Sequence, residues 1–150
     1  MNTDYKVAEV GLTYRNRVPK KDRKQILDSY TAYKILINNY SDDTIDYRET
    51  FKVLYMNQGC QVLGCSTISE GGITNTLADV RMILQGALLT NAVAMILAHN
   101  HPSGSTRPSR QDDELTRKIT EAARLLDIKV ADHIILTSED FYSYNDEGRI

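Results

Sequence analysis

The apolar run Val93-Ala94-Met95-Ile96-Leu97-Ala98 stops on the polar string His99-Asn100-His101-Pro102-Ser103-Gly104, and no other junction constrains the fold as strongly. The run is far shorter than the roughly 20 apolar residues a bilayer requires and suits a buried strand. Successive side chains alternate across a strand, so His99 and His101 fall on one side of an extended chain and both imidazoles reach a common point. Pro102, Gly104 and Pro108 then turn the backbone. Ser109, followed three residues later by Asp112, opens a helix whose first turn is brought back under the histidines.

Composition sets the wider limits. A chain of 150 residues, 41% hydrophobic and 25% charged, is expected to form one soluble globular domain able to bury a core. A net charge of -2 gives no general attraction to phosphate. Asp22 interrupts the cluster Lys20, Lys21, Arg23 and Lys24, which a solvated helix face explains, so charge does not mark a nucleic-acid binder. Cys60 and Cys65 lack the spacing of a redox or zinc pair and are expected to be reduced, in the core or half-buried. With neither a signal peptide nor a membrane-length apolar run, a cytoplasmic protein without membrane association is expected.

Strand and helix patterns alternate along the chain. Val7, Val10, Leu12 and Tyr14 predict an N-terminal strand over residues 6 to 15, and Pro19 opens a helix over 20 to 39 with Ile26, Leu27, Tyr30, Tyr33 and Ile37 inward. Residues 50 to 57 and 60 to 68 read as a hairpin around Asn57-Gln58-Gly59. Thr76 and Asp79 form a cap-like start for a helix burying Val80, Ile83, Leu84, Ala87 and Leu88. The helix from Ser109 places Leu115, Ile119, Ala122 and Leu126 inward, and strands close the chain at 129 to 136 and 141 to 144. A mixed sheet with helices packed on it fits this order, either α/β or α+β.

Two neutral imidazoles and a carboxylate make a donor set that suits zinc, and an ion held by three protein groups keeps a fourth position open for water. His99, His101 and Asp112 are therefore the candidate ligands. Taken singly, each has an ordinary explanation, since Ser109 and Asp112 alone would make a good helix cap and a lone histidine is usually structural. Taken together, the paired histidines, the turn-rich loop and the Ser/Asp pair are much harder to explain as packing. His133, after Asp132 in a core strand, could orient a ligand, although a satisfied structural histidine is the favoured reading.

The stretch His99-x-His101-x7-Ser109-x2-Asp112 resembles the JAMM (JAB1/MPN+) metalloprotease motif without a gap. Its form here, with Ala98 before the histidines, Pro102-Ser103-Gly104 after them, and Pro108-Ser109-Arg110, Glu114-Leu115-Thr116 and Asp132-His133-Ile134-Ile135 further on, is similar to the RadC-like branch of that superfamily. The likeness covers roughly residues 30 to 150 as a RadC-like JAB/MPN domain, with residues 1 to 29 outside it. It implies a JAMM/cytidine-deaminase-like fold, a mixed β-sheet flanked by helices. It also implies that His99, His101 and Asp112 bind Zn2+ and that Ser109 steadies the attacking water or the oxyanion. A glutamate from an earlier strand serves as general base. The resemblance places that glutamate just before Phe51, which points to Glu49, with Glu70 as competitor. The sequence is expected to lack the helical N-terminal extension of longer members, which carries their most evident nucleic-acid-binding element.

The expected function is zinc-dependent hydrolysis of an amide or isopeptide bond in a peptide or protein substrate. Two other classes remain open: a DNA-repair-associated factor, as the historical label of RadC-like proteins suggests, and a non-catalytic module that binds a peptide or protein tail. The sequence carries no signal for the oligomeric state.

Overall fold

Aromatic and β-branched residues at Thr50–Met56 (β1) and Val62–Glu70 (β2) form an antiparallel pair. The turn between them is organised by Asn57, whose Oδ1 accepts the N–H groups of Gly59 and Gln61. The computed structural model describes residues 3–71 and 78–150. Three further strands, Ala94–Asn100 (β3), Lys129–Leu136 (β4) and Phe141–Ser143 (β5), complete one sheet in the order β2-β1-β3-β4-β5. β3 and β4 are its parallel pair, and the others run antiparallel to their neighbours. Parallel neighbours need a crossover, here the helix Arg110–Arg124 (α3).

Strand alternation divides the core between the two faces of the sheet. Phe51, Val53 and Tyr55 of β1 and Met95 and Leu97 of β3 pack with Ile83 and Ala87 of the helix Val80–Leu89 (α2) and with Ile119 and Ala123 of α3. Leu54, Met56, Ile96, Ala98, Ile134 and Leu136 face the other way, onto Ala32 and Leu36 of the helix Ser29–Ile37 (α1). The protein is thus an α/β sandwich with a mixed central sheet, consistent with the JAB/MPN fold. Gly86 lets α2 approach β1 closely: a Cβ there would sit 2.2 Å from the Tyr55 hydroxyl, which donates to Ile83 O at 2.9 Å.

Several local expectations are corrected. Residues 6 to 15 form no strand; Val7 and Val10 are exposed, and the stretch is held to β2 by the Tyr14 and Asn16 side chains on Leu63 O. Alternation without a backbone partner does not make a strand. The helix expected over 20 to 39 is a short 3-10 turn, Lys20–Asp22, then a bridge between Gln25 and Gln61, and only then α1. Capture of residues 24 to 26 by the start of β2 takes them out of helical geometry, and Asp28 then caps α1 through Thr31 N at 2.7 Å. Leu27 and Tyr30 are consequently exposed, at 77% and 58%.

The inward stripe of α3 is Thr116, Ile119 and Ala123, with Leu115 only partly buried and Leu126 beyond the helix. Asp79 caps α2, while Thr76 lies outside the described residues. Cys60 and Cys65 are free as expected but exposed rather than in the core. Among the described residues no helix is long and apolar enough to cross a membrane.

Candidate functional site

β3 ends in His99 and Asn100, and alternation sends their side chains to opposite faces. His99 and His101 point toward α3. Phe51 lies opposite His99 in the β1/β3 register, so Glu49, two residues before Phe51, falls on the same face. Asp112 arrives from the first turn of α3. Glu49, His99, His101 and Asp112 thereby offer ligand atoms that all lie within 4.8 Å of one another, at the carboxyl end of a strand and the start of the following helix.

The distances suit one small cation. His99 Nε2 lies 3.0 Å from His101 Nε2 and 3.2 Å from Asp112 Oδ1, and His101 Nε2 lies 3.2 Å from Asp112 Oδ2. Ligand bonds of about 2.0 Å in a tetrahedron set neighbouring ligands about 3.3 Å apart, close to this spacing. Hydrogen-bond chemistry makes the same point. His101 Nδ1 lies 2.8 Å from Ser105 O. A carbonyl only accepts, so Nδ1 carries the hydrogen and Nε2 of the neutral ring is bare. Bare nitrogens and carboxylate oxygens this close repel unless a positive charge stands among them. The donor set therefore fits a divalent ion, and its two nitrogens and one carboxylate suit zinc.

Asp112 is both ligand candidate and helix cap. Ser109 Oγ accepts from Asp112 N at 3.0 Å and Ser109 N donates to Asp112 Oδ2 at 2.8 Å, a reciprocal capping box. Burial opposes its charged form, yet the His101 and His99 imidazoles and the Ser109 N–H hold its carboxyl well below the usual range. For His101, burial is outweighed by Asp112 and Ser105 O, which raise its pKa. Burial pushes His99 down against the pull of Asp112.

Glu49 is buried, with Oε1 3.9 Å from His99 Nε2. Burial pushes its carboxyl up to about 7, with His101 opposing and Asp112 reinforcing the rise. Glu70 stands apart from the cluster, 59% exposed and 3.8 Å from Arg48. Ser109 joins the cluster through its capping bonds to Asp112, its oxygen accepting from Asp112 N and its N–H donating to Asp112 Oδ2.

Two contributors escaped the sequence reading. Asn100, fully buried on the opposite face, accepts from Thr50 N at 2.7 Å and donates to Ile45 O and Arg48 O, each at 2.8 Å. These bonds fasten the backbone on both sides of Glu49. Its position between two histidines on the opposite parity was the available signal. Thr116 was visible only as part of a family pattern, yet its Oγ lies 2.6 Å from both Asp112 O and His133 Nδ1.

Comparison with known proteins identifies the family. The sequence matches the RadC-like JAB domain family over residues 26–149. It is 43% identical over 100 residues to a UPF0758 protein of Flavobacterium johnsoniae, covering 67% of this chain and 44% of the relative. It is 39% identical over 136 residues to a UPF0758 protein of Porphyromonas gingivalis, covering 88% and 59%. To the UPF0758 protein YfjY of Escherichia coli it is 43% identical over 101 residues, covering 67% and 63%. The chain thus spans 44% to 63% of the length of these three relatives.

Proposed function

Because the chain belongs to the RadC-like JAB domain family and gathers Glu49, His99, His101 and Asp112 around one point, we propose that it is a zinc-dependent hydrolase of amide or isopeptide bonds in a peptide or protein. The observation that carries the reading is the near-tetrahedral spacing of His99 Nε2, His101 Nε2 and the Asp112 carboxylate. His99, His101 and Asp112 would hold the ion. Zinc in such a site supplies Lewis acidity, which lowers the pKa of water toward about 7 and polarises a carbonyl.

The chain's own groups do the rest. Glu49 takes a proton from the attacking water and delivers it to the departing amine nitrogen. In the metal-free site burial holds the Glu49 carboxyl up to about 7, and a divalent ion beside it would favour the carboxylate that accepts the proton. Ser109 has a hydroxyl hydrogen to offer the oxyanion that develops on the carbonyl. Asn100, bonded to Thr50 N and Arg48 O, keeps Glu49 in register with the histidines.

The test is mass spectrometry of peptides and isopeptide-linked conjugates after incubation with the zinc-loaded protein. Cleavage that disappears with a chelator and returns with zinc supports the reading. Retention of peptides without any cleaved product supports the binding-module class instead. Salt-sensitive DNA binding in place of both supports the DNA-associated class.

A further inference from the structure

We propose that Thr116 and His133 are positioning residues that set the tautomer of His99, so that a lone pair rather than an N–H faces the metal position. The purpose of this arrangement rests on the metal-site reading above; the tautomers themselves do not.

The Asp112 carbonyl at one end of the relay can only accept a hydrogen bond. Thr116 Oγ lies 2.6 Å from Asp112 O and 2.6 Å from His133 Nδ1. The hydroxyl has one hydrogen. Giving it to His133 would leave two oxygen lone pairs facing each other at the Asp112 carbonyl, so the hydroxyl donates to Asp112 O and accepts from His133 Nδ1–H. His133 and His99 are enclosed, at 0% and 2% exposure, and enclosure favours the neutral form of each ring. With its hydrogen on Nδ1, His133 has a bare Nε2. That atom lies 2.8 Å from His99 Nδ1, which must therefore carry the hydrogen and donate it. His99 is left with a bare Nε2, aimed at His101 Nε2 and Asp112 Oδ1.

The relay is held in place by packing. Tyr144 stacks on His133 with ring centroids 4.9 Å apart and planes 12° from parallel, and its hydroxyl donates to Asp113 Oδ1 at 2.7 Å. Phe51 lies against both rings, parallel to His99 and edge-on to His133. The chain of hydrogen bonds runs from β3 through β4 to α3, and so ties one ligand candidate to the backbone of another. His101 reaches the same tautomer independently, through Ser105 O. Without the Thr116 hydroxyl, His133 loses the acceptor that fixes it and can carry its hydrogen on Nε2. It would then donate to His99 Nδ1, place the N–H of His99 toward Asp112, and leave the ion a hydrogen to displace.

The experiment uses the full chain labelled with 15N at histidine, first free of metal. Two-bond 15N–1H correlations should show His99 and His133 both with the hydrogen on Nδ1. In Thr116→Val, which keeps the shape and removes the hydroxyl, His99 should move toward the Nε2–H form. Zinc affinity, read by chelator competition, should fall about 10- to 100-fold. Thr116→Ser should restore both readouts. An Nε2–H form of His99 in the wild type overturns the proposal, with no variant required if Thr116→Val fails to fold. Wild-type tautomers and affinity in Thr116→Val overturn it as well, as does a serine variant no better than valine. A wild-type chain that takes up no zinc defeats the metal-site reading, while the metal-free tautomers still decide this proposal.

Discussion

The side-chain oxygen of Asn100 accepts the backbone N–H of Thr50 at 2.7 Å, which locks the residue after Glu49 to the strand end that carries His99 and leads into His101. The amide of the same side chain satisfies Ile45 O and Arg48 O. The triplet His99-Asn100-His101 therefore presents ligand candidates on one face and secures the base-bearing segment on the other.

Replacing Asn100 with Ala leaves the buried Thr50 N–H and Ile45 carbonyl, and the partly buried Arg48 carbonyl, without their partner. At about 1 to 3 kcal/mol for each buried unsatisfied group, a loss of about 2 kcal/mol or more is expected in urea unfolding. A shift under about 0.5 kcal/mol would show that the segment before β1 does not depend on this side chain.

Gly86→Ala sets helix propensity against packing. Alanine favours a helix by about 1 kcal/mol over glycine. The added Cβ would meet the Tyr55 hydroxyl at 2.2 Å and the ring at 2.6 Å, and overpacking of a tight interface costs about 1 to 3 kcal/mol. Tyr55 is buried at 1% exposure and bonded to Ile83 O, so it has little room to yield. Net destabilisation is expected, and a rise in melting temperature would refute the close-packing account.

In the metal-free fold His133 and His99 should each lose stability as pH falls below 6.5, while Glu49, held up to about 7, gains it over the same range. Burial lowers the pKa of both His133 and His99 below the ordinary 6.5. At these two rings the unfolded chain thus binds more protons between the two values, and their contribution to stability declines as pH falls below 6.5 by up to about 1.4 kcal/mol per pH unit per group. His101, whose pKa is raised, contributes stability that is fully present below 6.5 and so does not vary in that window. Urea unfolding between pH 6.5 and 5 should give a shallower pH slope for His133→Gln than for the wild type, whatever the offset. Equal slopes would mean that His133 is not held neutral.

Much of this architecture was legible in the sequence, and the failures share a cause. The strand before His99, the hairpin around Asn57 and the helix capped by Ser109 were read from signals that lie within each element: a continuous apolar run, turn chemistry and a cap. The four-residue cluster followed from strand alternation, helix capping and family likeness, with Glu49 favoured over Glu70 by likeness alone. What was misread depended on partners distant in sequence. Alternation at Val7 to Tyr14 had no strand to pair with, and the helix expected from Pro19 lost its first half to the edge of β2. Asn100 and Thr116 act through residues up to 55 positions away, and no local pattern announces that.

Glu49→Gln preserves shape and removes the proton acceptor. The variant should retain zinc and lose hydrolysis of any substrate the wild type cleaves, by at least the 100- to 10,000-fold usual for general-base removal. Loss of zinc together with activity would make Glu49 a ligand, and unchanged turnover would place the base elsewhere.

Elemental analysis of purified protein decides whether His99, His101 and Asp112 hold one metal ion. Wild-type protein should carry close to one equivalent of zinc after dialysis against trace metal. His99→Ala, His101→Ala and Asp112→Ala, each verified as folded, should carry almost none. Equal zinc in the wild type and these variants would contradict the account.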